Sequence, residues 1–128
     1  MELSVYGADG MLAVFGSQSD HARRGLSAAM SLRQRLRDAL TNAKAVASSA
    51  YSVSQGLHSG PVAVGHLTGE TPNLAIWFQH QAAPDTILFS AATMRLVEDI
   101  ASDAEQNAIR VPGYTDVMAA YRLGNLQM

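Results

Sequence analysis

Few side chains in this chain have types and spacings that could do chemistry. The first is a single carboxylate, Asp9, in the glycine-flanked run Gly7-Ala8-Asp9-Gly10. An aspartate before glycine bonds to nearby backbone amides as ordinary turn chemistry, and its oxygens are also the hard ligands that a divalent cation takes. Asn73 follows Thr71-Pro72 and, taken by itself, is a first-turn polar residue of a helix. His58 and His66 fall on the two strands of a hairpin without an acidic or second histidine neighbour at metal-ligand spacing, so both are expected to be structural, hydrogen-bonded histidines. The glycines at 56, 60, 65 and 69 lead into neither a Gly-Lys-Ser/Thr turn nor a Gly-x-Gly-x-x-Gly helix start, which excludes a phosphate loop of either kind. There is no cysteine, hence no disulfide framework and no thiolate metal ligation.

The elements that must position these residues follow from hydrophobic periodicity. Leu3 and Val5 alternate with Ser4 and Tyr6, Asp9-Gly10 interrupts, and an apolar run over 11–15 resumes, which predicts strand, tight turn, strand. Ser17 to Asp20 can cap a helix over about 21–43 whose apolar face is Gly25, Ala29, Leu32, Leu36 and Leu40. Residues 52–57 and 61–67 predict a second hairpin, and Thr71-Pro72 an N-cap and first helical position for a helix through about residue 82. A short buried strand at 87–89, a helix opening at Ser90, and two closing strands over 108–111 and 116–123 complete the chain. In that helix Met94, Leu96, Val97 and Ile100 are the apolar positions. Hairpins mixed with helices in this order predict an α+β fold, an antiparallel-rich sheet with helices on one side.

Length and composition set the frame. A chain of 128 residues makes one domain with a real core and no room for a second. Charged residues are 16% of the chain, against about 25% in ordinary globular domains, which predicts a surface partly covered by a partner. Trp77 and Phe78 are adjacent helical residues that cannot both face the core, so one of them is expected at an interface. Net charge is -2, and Arg23, Arg24, Arg33, Arg35 and Arg37 are spread along the solvated side of one helix, so no basic face for nucleic acid is expected. The N-terminal residues carry no signal-peptide pattern and no stretch nears about 18 uninterrupted apolar residues. A cytoplasmic protein without a membrane segment is the expectation.

The two glycine-bearing runs, GADGMLAVFG at 7–16 and GLHSGPVAVGHLTGE at 56–70, have a further significance when taken in order. The first resembles the metal-binding hairpin of class III adenylate/guanylate cyclase homology domains. The second is similar to that family's Gly-x-His-x-Gly-x-Val-x-x-Gly hairpin, and residues 73–93 and 111–123 resemble its following helix, strand and last hairpin. The resemblance covers nearly the whole chain and implies a ferredoxin-like sheet, with Asp9 as a ligand for Mg or Mn, Asn73 as the residue that positions the ribose, and ATP or GTP as the nucleotide. It also implies head-to-tail pairing, as a homodimer or with another cyclase-like domain.

The departures from the family bear on activity. The resemblance begins after the family's first strand and two helices, so the carboxylate that shares both metals with the Asp9 position has no counterpart here. A lone carboxylate is a poor site for magnesium, which demands octahedral oxygen ligation and keeps its water. Val5 stands at a base-selecting position, and Trp77 stands where the family's transition-state arginine would lie, four residues after Asn73. An indole has neither the charge nor the fork of donors of a guanidinium, and loss of one such stabiliser costs about 100- to 1000-fold in rate. The expectation is a partial, degenerate cyclase homology domain over 1–128, a non-catalytic regulatory or dimerisation module in signal transduction. The alternative is part of an active cyclase whose first strand is encoded upstream or supplied by a partner.

Overall fold

The computed structural model describes residues 2–6, 10–16, 20–42, 53–61, 70–111, 113–114 and 117–123. Strand β1 (Glu2–Tyr6) and strand β2 (Gly10–Val14) form an antiparallel pair with Tyr6 opposite Gly10 and Glu2 opposite Val14. The expected Asp-Gly turn, Asp9 included, lies outside the described residues. Helix α1 (His21–Asn42), strand β3 (Gln55–Leu57), helix α2 (Glu70–Gln81), strand β4 (Ile87–Ser90), helix α3 (Ala91–Val97), strand β5 (Glu105–Arg110) and strand β6 (Val117–Leu123) follow in order. Residues 62–69, which include His66 and most of the second hairpin's return strand, are likewise outside the described part.

The class is α+β. Among the described residues the hairpin β1–β2 is a sheet of its own, and a second sheet runs in the order β3-β4-β6-β5, parallel at β3–β4 and antiparallel elsewhere. Because successive strand residues point to opposite faces, β4 divides the core in two. Ile87 and Phe89 join Ala22, Leu26 and Ala29 of α1 and Val97 of α3, with Leu123 of β6 closing the cluster. Leu88 points the other way, toward Phe78 of α2 and Ala120 of β6. The expectation of helices on one side is therefore corrected. α1 and α3 cover one face and α2 the other, which is why all four residues of β4 are buried.

Helix α1 shows what periodicity alone misassigns. Its buried stripe is Ala22, Leu26 and Ala29, while Leu32 is 44% exposed. At 3.6 residues per turn Leu32 lies about 80° round from the centre of that stripe. The inward position beyond Ala29 goes instead to Arg33, whose guanidinium Nη1 donates to the carbonyls of Asp85 (3.3 Å) and Leu123 (3.1 Å). In α3 the buried residues are Thr93 and Val97, and Leu96, expected on the apolar face, is 45% exposed. Ser90, expected to open the helix, stands just before it as the cap of α3, its Oγ accepting from the amide of Thr93. Helix α2 begins at Glu70, so Thr71 and Pro72 are helical residues rather than cap and first position. Proline is accommodated there because amides of the first turn have no partner within the helix.

Candidate functional site

The run Gly56-Leu57-His58-Ser59-Gly60 forms the corner where β3 meets α2 and α3, and each alternate residue has a different task there. Gly56 lets α2 lie directly on the strand. A Cβ at that position would stand 2.2 Å from the amide nitrogen of Gln79 and 2.5 Å from the carbonyl oxygen of Ala75, distances no side chain tolerates. At Gly60 the near atom belongs to a side chain: a Cβ there would be 2.8 Å from Thr71 Oγ1, at the start of α2. Leu57, between them, points to the opposite face and packs against the α1–α3 cluster.

His58 ties the corner to α3. Its Nδ1 is 2.8 Å from the hydroxyl of Ser90, the cap residue, and its ring lies 6.2 Å from that of Phe78 at a tilt of 52°. Ser59 continues the polar seam, with its hydroxyl 2.8 Å from Thr93 Oγ1. Half-burial holds the His58 imidazole below the ordinary histidine value, because the charged form loses hydration; the carboxylate of Glu70 acts in the opposite direction. Glu70 in turn accepts a hydrogen bond from the Tyr114 hydroxyl, which keeps that phenol protonated to higher pH than usual. The reading of His58 as a hydrogen-bonded structural histidine fits this geometry.

Helix α2 also carries the residues that the family resemblance singled out. With Leu74 and Phe78 buried on the side facing β3 and β4, Asn73 is exposed in the first turn. Trp77, one turn on, lies on the same side of the helix. Its indole meets Phe78 edge-on, ring centroids 5.7 Å apart and planes at 69°, and it packs against the α2-side cluster rather than standing free. Phe78 is fully buried, so of the adjacent aromatics it is Phe78 that faces the core and Trp77 that lies at the rim. Asn73 and Trp77 thus share a face. Among the described residues no cluster of three histidine, aspartate or glutamate side chains could hold a metal ion, and Asp9 is outside that set. Among the same residues no helix is long and apolar enough to cross a membrane.

Sequence reasoning missed the two polar fastenings of the fold, His58 to Ser90 and Arg33 to the carbonyls of Asp85 and Leu123. A histidine and a serine 32 positions apart give no signal until strand pairing places them. No protein-family model matches the chain, and no curated protein matches it.

Proposed function

We propose that this chain is a degenerate class III cyclase homology domain that acts by association, as a regulatory or dimerisation module in signal transduction, and not by turnover. The observation that carries the reading is the split sheet. Among the described residues β1 and β2 pair only with each other, and β3 pairs only with β4. The family resemblance assigns an interior strand to the space between such elements. Were that strand absent from the chain, the edges it leaves would recruit another strand, and a complementary chain would be the natural source. The low charge content and the rim position of Trp77 favour the same reading, since both leave apolar surface for a partner.

Loss of catalysis rests on position 77. A tryptophan packed edge-on against Phe78 has no charge to give a pentavalent phosphorus. Asn73 remains exposed and could still face a nucleotide's ribose, and Asp9 with Mg or Mn belongs to the same proposal. Two measurements test it together. Sedimentation at low micromolar concentration should show a dimer, and incubation with ATP or GTP and Mg or Mn should yield no cyclic nucleotide. A monomer at all concentrations overturns the association role, whereas cyclic nucleotide formation abolished by Asp9→Ala establishes the active alternative.

A further inference from the structure

We propose that strand β5 is the docking edge for a second copy of this chain: the two β5 strands pair antiparallel about a two-fold axis at Ala108 and join two four-stranded sheets into one. This pairing needs association alone and not the cyclase resemblance, and it uses a different edge from those of β2 and β3. Among the described residues β5 pairs only with β6 and stands at the end of its sheet. Glu105 to Ala108 and Arg110 are exposed although they alternate between the two faces, and Ile109 alone of the six packs against a core cluster. Proteins blunt such an edge with a very short strand, a proline, a lysine or a bulge. In β5 none of these is found. It has six residues, no proline or lysine, and an unbroken register against β6 from Glu105 opposite Arg122 to Arg110 opposite Val117.

The residues of β5 say which strand it takes. Its charges stand only at its two ends and are opposite in sign. An antiparallel copy sets the Glu105 end of one strand beside the Arg110 end of the other, where a parallel copy would set like beside like. In an antiparallel ladder bonded and non-bonded pairs alternate, so a two-fold axis normal to the sheet passes through a residue that faces its own copy. Ala108 suits that position, because its side chain is the smallest in the strand and is exposed. With the axis there, Arg110 of each copy lies opposite Gln106 of the other, a guanidinium donor against an amide carbonyl, and the pair occurs twice. On the other face Asn107 lies opposite Ile109, and Glu105 keeps its ion pair with Arg122. An axis at Asn107 would instead set the Glu105 carboxylate against Ile109 and leave Arg110 opposite Ala104.

The chain has no cysteine, so one introduced thiol reports the register. In Ala108→Cys the two thiols face each other across the axis, at a Cα separation that a disulfide spans; in Asn107→Cys, equally exposed, the separation is about 8 Å, beyond that reach. Under mild oxidation of the full chain at low micromolar concentration, Ala108→Cys should form a covalent dimer about tenfold faster than Asn107→Cys. Ala108→Lys sets two like charges across the axis, and should raise the dimer dissociation constant in sedimentation about tenfold while circular dichroism stays that of wild type. Equal cross-linking of the two thiols, or a dimer indifferent to Ala108→Lys, overturns the β5 edge and leaves association through another surface standing. A wild-type monomer at every concentration overturns association itself, and this edge with it. If Ala108→Lys does not fold, the two cysteine variants decide the matter.

Discussion

Arg37 and Asp85, 48 positions apart in sequence, meet in an ion pair of 3.0 Å that joins the outer half of α1 to the turn before β4. Asp85 has φ of 68°, the left-handed region that side chains other than glycine enter at a cost. Arg33 donates to the carbonyl of the same residue, so one strained turn is gripped at both its backbone and its side chain. Replacement of Asp85 should separate the two effects. Asp85→Ala loses the pair and retains the strained conformation, at a cost of about 1–2 kcal/mol, while Asp85→Gly loses the pair and relieves the strain, leaving stability within about 0.5 kcal/mol of wild type. Urea unfolding of both variants measures the difference.

Gly56→Ala should be among the most damaging single changes. The added methyl meets backbone atoms of α2, at 2.2 and 2.5 Å, and backbone cannot swing aside as a side chain can. We expect a loss of about 3 kcal/mol or more, at the upper end of overpacking effects, and α2 displaced from β3. Gly16→Ala is the control, since among the described residues beyond its chain neighbours no atom lies within 4 Å of where the Cβ would stand, and stability should hardly change.

Ser90→Ala removes the acceptor for the Thr93 amide and the partner of His58 in one step. Loss of the cap and an unsatisfied, half-buried imidazole nitrogen together should cost about 1–2 kcal/mol in thermal unfolding. Ser90→Thr, which keeps the hydroxyl, should recover most of it.

Arg23 and Asp99 pair at 2.6 Å between α1 and α3, on exposed surface. The hydrogen bond from Arg23 holds the Asp99 carboxyl below the ordinary range of 3.8, so any stability from the pair is present above that value and lost as pH falls through the lowered one. In Arg23→Ala the Asp99 carboxyl should titrate higher than in wild type by NMR, and raised salt should narrow the difference, since exposed charges are screened.

Phe78→Ala and Trp77→Ala should part company despite adjacency. Phe78 is fully buried, and its truncation should cost about 3–5 kcal/mol, enough to unfold a marginal domain. Trp77 lies at the rim, so its truncation should cost less in stability. If the associating surface includes α2, Trp77→Ala shifts the sedimentation profile toward monomer; an unchanged profile removes Trp77 from the interface.

The sequence by itself determined the α+β class, the first hairpin, the span of α1 and the opening of a helix near Ser90, because each is written in local signals: alternation, a 3.6-residue stripe, a hydroxyl before an apolar run. Tertiary structure decided the rest. Which face of the sheet α2 covers is set by the direction of Leu88 against Ile87 and Phe89, and a three-residue apolar run contains no record of it. That Arg33 displaces Leu32 from the inner side of α1 depends on two carbonyls brought there from positions 85 and 123. Long-range pairing has the same effect at His58, a histidine in a glycine-rich hairpin by sequence and the fastening of α3 once β3 and β4 lie side by side.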